Sequence, residues 1–136
     1  MQTMSGWVLT AFIAWTLFLL IWMEAMRAGL VLGKRVRADA FTPGNAGLSP
    51  FMQRLARAHA NCIEGLTVFG GLLLVAIASG RPEVTDPLAP ALLAARLLQS
   101  GFHLASGSVL AINLRFTAFA VQMAIGAWWA WRLLVG

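Results

Sequence analysis

From Met1 to Met23 the chain carries no charged side chain; the first is Glu24. A helix rises about 1.5 Å per residue, so about 20 apolar residues cross a hydrocarbon core of roughly 30 Å. This stretch alone is long enough. Three more follow: Leu66 to Gly80, extended back to Ala58 across Glu64; Leu88 to Leu114, interrupted by Arg96; and Phe116 to Val135, broken by Arg132. The breaks between them carry turn chemistry. Thr42-Pro43-Gly44-Asn45 cannot continue a helix, Ser49-Pro50 and Asp86-Pro87 look like caps followed by proline, and Asn113 is the expected cap of the last helix. The expectation is an all-α integral membrane four-helix bundle. It forms one domain over residues 1–136, with helices at about 4–33, 50–79, 87–106 and 113–134.

Composition narrows the class. Only 11% of residues are charged, against roughly 25% in soluble domains. That is too few to coat a soluble enzyme, and no basic patch with stacking aromatics suggests nucleic acid. The apolar N-terminus lacks the basic stretch of a secretory signal, so a retained helix is expected. Two His and one Cys predict neither a metal site nor an intrachain disulfide. Nine of the ten basic residues are Arg and Ala is abundant, a bias that points to a GC-rich bacterial source and hence an inner membrane.

Orientation is read from the basic residues. Lys34, Arg35, Arg37, Arg54 and Arg57 surround the first loop and Arg115 lies in the third, whereas only Arg81 and Arg132 lie opposite. By the positive-inside rule the first and third loops face the cytoplasm and both termini the other side. Trp7 and the group Trp128, Trp129 and Trp131 then fall at the outer interface, as an aromatic belt would.

The polar residues within the spans are phased. Arg57, Asn61 and Glu64 share one face of the second helix, extended by Arg54. Arg96, Gln99 and His103 share a face of the third, and Arg115, Phe119 and Gln122 one of the fourth. One reading makes these groups interhelical glue, with Glu64 and Arg96 as a structural ion pair. The other makes them a ligand site, because intramembrane charges mark function by default. A basic cavity with one carboxylate suits a small zwitterion that is anionic overall: Arg grips carboxylates bidentately and Glu64 can take an ammonium. A third reading, from Glu64 or Glu24 as a coupling acid, is a small proton-coupled transporter.

The run Arg57-Ala58-His59-Ala60-Asn61-Cys62-Ile63-Glu64, followed by Phe69, resembles the second-helix signature of the MAPEG family, the membrane proteins of eicosanoid and glutathione metabolism that include the microsomal glutathione transferases. Ala95-Arg96 with the polar positions three and seven residues on, and Asn113-Leu114-Arg115-Phe116, are similar to the family's third and fourth helices. The resemblance implies a homotrimer that binds glutathione between subunits at the cytoplasmic side and acts on a lipophilic small molecule from the bilayer. It implies that Arg57, Asn61 and Glu64 hold the peptide, that Arg96, Gln99 and His103 complete the pocket from the adjacent subunit, and that Arg35 or Arg37 meets a carboxylate. Arg115 would lie beside the thiol, and a guanidinium or helix N-terminus there would favour the thiolate. A transferase or peroxidase is the activity implied; a catalytically silent scaffold of the same fold is the alternative.

Overall fold

The computed structural model describes residues 2–136. Among them are four main helices and no strands: α1 (Met4–Leu32), α2 (Pro50–Ala78), α3 (Ala89–Ala105) and α4 (Val109–Val135). α1, α2 and α4 are each long and apolar enough to cross a membrane. α3 has 17 residues, about 25 Å of helix. The buried Val84 and Thr85 precede it in a link that opens with a short 3-10 turn, Pro82–Val84.

Local chemistry sets the ends. Thr3 caps α1 by accepting from Gly6 N at 3.0 Å. Ser49 caps α2 by accepting from Met52 N at 3.2 Å, and Pro50 occupies the first helical position, where its missing N–H costs nothing. Gly80 closes α2 at φ +71, a conformation glycine adopts without strain, while Arg81 N donates to Ala76 O at 2.8 Å. Arg81 then donates to the carbonyls of Leu133 and Arg132 at 3.2 and 3.0 Å, satisfying the C-terminal end of α4.

Two caps differ from the sequence reading. Ser108, not Asn113, caps α4: its hydroxyl accepts from Ala111 N at 3.2 Å, and the helix begins at Val109. Ser and Asn are equally good caps by type, and the chain takes up helical backbone already at Val109. Asp86 does not cap α3, which starts at Ala89 without a side-chain cap. Its carboxylate instead accepts from the Ser5 amide at 2.8 Å and from the Ser5 hydroxyl. Asp86 therefore places a negative charge at the N-terminus of α1, and the buried Ser5 and Thr85 hydroxyls complete the tie.

Two apolar packs hold the bundle. One joins Val8 and Phe12 of α1, Phe69 and Leu73 of α2, Leu92 and Leu93 of α3, and Ile125 and Trp129 of α4. The other joins Leu19 and Met23 of α1 to Leu55, Ala58 and Cys62 of α2. Trp129 is fully buried, so it belongs to the core and not to an interfacial belt; Trp7, Trp128 and Trp131 remain exposed. Gly70 permits the approach of α1 to α2, since a Cβ there would lie 3.2 Å from Leu9 Cδ1; Gly71 meets nothing.

The first loop is folded back on α1 by Arg27. Its guanidinium donates to Asn45 Oδ1 from Nε at 2.9 Å and Nη2 at 2.6 Å, to Thr42 O at 3.0 Å, and pairs with Glu24 at 3.0 Å. Asn45 is fully buried, stands at φ +56, and donates to Met52 O at 2.7 Å. The turn expected at Thr42-Pro43-Gly44-Asn45 is thus a folded strap between α1 and α2.

Candidate functional site

The phased polar stripes of α2, α3 and α4 meet. Arg96 is fully buried, and its Nη1 donates to Asn61 Oδ1 at 2.7 Å. Gln99 Nε2 donates to the same oxygen at 2.7 Å. Gln122, also fully buried, donates from Nε2 to Gln99 Oε1 at 2.7 Å and to Ala118 O at 3.1 Å. Three helices are thereby joined through their side chains in one polar layer. The resemblance assigns Asn61 and the Arg96–Gln99 pair to different subunits; one chain brings them together.

No Glu64–Arg96 ion pair forms. Among the described residues the ion pairs are Arg27–Glu24 and Arg37–Asp39, and Glu64 is exposed. The Arg96 guanidinium lies 5.4 Å above the centroid of the Phe12 ring, and its Nε and Nη2 are buried without a partner. A buried guanidinium in contact with an aromatic face gains cation–π energy but is costly to leave partly unpaired. Gly65 makes room for it: a Cβ there would stand 2.9 Å from Arg96 Cζ and closer still to Nη2. Just beyond, α2 widens into a π-helical turn over Leu66–Gly70, a distortion that often accompanies functional sites. Only the glycines at 65, 70 and 71 hint at it in the sequence.

Two cavities adjoin this layer. A cavity of about 290 Å³ is lined by Asn61, Gln99, His103, Ile112, Arg115, Phe116 and Phe119. A larger groove of about 760 Å³ runs between α2 and α4; Asn61 and Glu64 are among its lining residues, and its walls include Val68, Leu72, Val75, Met123 and Ala127. Asn61 and Phe119 belong to both. Phe119 packs edge-on to Phe69 with centroids 6.3 Å apart, so an aromatic pair marks the seam between a polar and an apolar compartment.

The candidate residues thus divide. Asn61, Arg96 and Gln99 are bonded together; His103 and Arg115 join Asn61 and Gln99 around the smaller cavity; Glu64 lies on the groove. Arg57 is exposed and lines neither. Arg35 and Arg37 are exposed in the first loop, with Arg37 held to Asp39 at 3.1 Å. Arg115 is not at the helix N-terminus: with Ser108 as cap it lies in the second turn, beyond the reach of the N-terminal dipole. Any help it gives a thiolate comes from its own charge. Gln122 is visible on the fourth-helix stripe of the sequence, but its place in the amide network is not. Cys62 is buried against Ser100, with Sγ 3.3 Å from Oγ.

The model of the MAPEG family matches residues 5–135. The chain belongs to the MAPEG family. No curated protein and no solved structure matches it. Membership, together with the three spanning helices, makes it an integral membrane protein of a family tied to glutathione and eicosanoid metabolism.

Proposed function

We propose that this MAPEG protein is a glutathione-dependent transferase or peroxidase that acts on lipophilic electrophiles. The observation that supports this most is the convergence of Asn61, Gln99, His103 and Arg115 on one cavity backed by the buried Arg96. Glutathione is a peptide thiol with two carboxylates and an ammonium. Amide and cationic donors suit its anionic groups, and Glu64, which lines the adjoining groove one helical turn from Asn61, suits its ammonium. Arg57, Arg35 and Arg37 are exposed cations of the second helix and first loop, and their positive potential would draw an anion toward this part of the protein. With the first and third loops on the cytoplasmic side of a bacterial inner membrane, glutathione would reach the cavity from the cytoplasm.

A free thiol has a pKa of about 8.5, and a nearby cation favours its thiolate. In this reading Arg115, which lines the smaller cavity, supplies that cation. The thiolate sulfur then bonds to an electrophilic carbon as the leaving group departs with its electron pair; or it bonds to the outer oxygen of a hydroperoxide as the O–O bond breaks, releasing the alcohol and a glutathione sulfenic acid that a second glutathione thiol converts to the disulfide and water. The apolar groove beside the cavity holds the second substrate, delivered from the bilayer where lipophilic compounds concentrate. Assembly as a homotrimer would close both cavities against neighbouring subunits.

The test is turnover by purified protein in detergent, supplied with glutathione and either an aryl halide or a lipid hydroperoxide. Conjugate formation or peroxide loss above the protein-free rate is expected. Neither activity, with glutathione binding retained, would make the chain a silent scaffold; no glutathione binding would overturn the reading altogether.

A further inference from the structure

We infer that Gln122 is a positioning residue: through Gln99 it locks the Asn61 amide so that Asn61 Nδ2 is presented as a free donor where the two cavities meet. The argument is one of polarity. A guanidinium only donates, so the Asn61 atom facing Arg96 Nη1 at 2.7 Å must be its oxygen. That oxygen also receives the Gln99 side chain at 2.7 Å, so the Gln99 atom must be nitrogen. Gln99 therefore turns its oxygen to Gln122, whose nitrogen must donate.

The far end is fixed independently. Gln122 Nε2 also donates to the carbonyl of Ala118 at 3.1 Å, and a backbone carbonyl only accepts. The chain is therefore pinned by a donor-only group at one end and an acceptor-only group at the other, and no amide in it can flip. Both lone pairs of Asn61 Oδ1 are occupied, and among the described residues Asn61 Nδ2 donates to nothing. Asn61 lines both the cavity of about 290 Å³ and the groove of about 760 Å³. The group that meets Nδ2 is an acceptor: a carboxylate, a carbonyl or a thiolate sulfur. This deepens the glutathione reading by assigning an acceptor atom of the bound peptide to that point, and it rests on that reading only for the identity of the ligand.

The chain has asparagine only at 45, 61 and 113, so selective nitrogen-15 labelling of asparagine gives three side-chain NH2 pairs, with the Asn61 pair identified by its loss in Asn61→Ala. In the unmodified protein the Asn61 pair should exchange with solvent faster than the Gln122 pair, observed in a glutamine-labelled sample. Gln122→Met, which keeps the length and removes the donors, should shift and broaden the Asn61 pair and leave that of Asn45 in place. It should weaken glutathione binding about tenfold, yet cost nothing more in the Asn61→Ala background. An unmoved Asn61 pair in Gln122→Met, or slower exchange at Asn61 than at Gln122 in the unmodified protein, would overturn the inference; the second result needs no variant to fold. An Asn61 pair that responds to Gln122→Met but never to glutathione would support the positioning role and overturn the glutathione reading instead.

Discussion

Replacing Gly65 by alanine probes whether the buried Arg96 is held where the polar layer needs it. A Cβ at Gly65 would lie 2.9 Å from Arg96 Cζ, with Nη2 closer. The atoms in the way belong to the end of a long side chain, so the helices keep their places and the guanidinium moves. Its hydrogen bond to Asn61 then breaks, and a bond to a charged group contributes about 1.5–3 kcal/mol. Against this, alanine improves a helix interior by about 1 kcal/mol over glycine. The net expectation is a loss of roughly 0.5–2 kcal/mol, measured by denaturant titration of the protein in detergent. Two controls isolate the cause. Gly71→Ala meets nothing within 4 Å and should be neutral or stabilising by up to about 1 kcal/mol. In an Arg96→Ala background the obstruction is gone, and Gly65→Ala should turn stabilising. An equal cost in both backgrounds would mean that the new Cβ does not act through Arg96.

Other outcomes follow from the same geometry. Arg115→Ala should abolish conjugation while glutathione affinity, by calorimetry, stays within about tenfold, or roughly 1.4 kcal/mol; full turnover would remove Arg115 from the chemistry. Asp86→Ala strips two hydrogen bonds from Ser5 and should lower stability by about 0.5–2 kcal/mol, the usual value of an N-terminal cap; thermal unfolding in detergent would measure it. Asn45→Ala releases the Arg27 strap, so trypsin should cut faster at Lys34, Arg35 and Arg37, with no change at Arg81. Phe119→Ala removes the seam between the cavities and should lower the KM for bulky electrophiles while leaving that for glutathione within about twofold, a change of roughly 0.4 kcal/mol.

The helices are legible in the sequence because span length and turn chemistry act locally: Ser49-Pro50 starts α2 and Gly80 ends it, each by its own backbone preference. The polar layer is legible as stripes, since spacings of three and four put Arg57, Asn61 and Glu64 on one face whatever the neighbours are. Which members of a stripe face inward is not legible, because that depends on helix rotation and on partners distant in sequence. Arg57 and Glu64 share the face of Asn61, yet both are exposed while Asn61 takes the bonds. Asp86 reads as a local cap and serves a helix about eighty residues away in the chain. Gly65 reads as a neutral small residue until Arg96 is seen against it. Ser108 and Asn113 are equally good caps by type, and only the backbone's path decides between them.

Whether this chain binds glutathione is decided by calorimetric titration of glutathione into the detergent-purified protein. Saturable binding that is weakened but still measurable in Asn61→Ala and preserved in Gly71→Ala is the predicted result. The absence of any binding heat at millimolar glutathione, in protein shown to be folded, would contradict it.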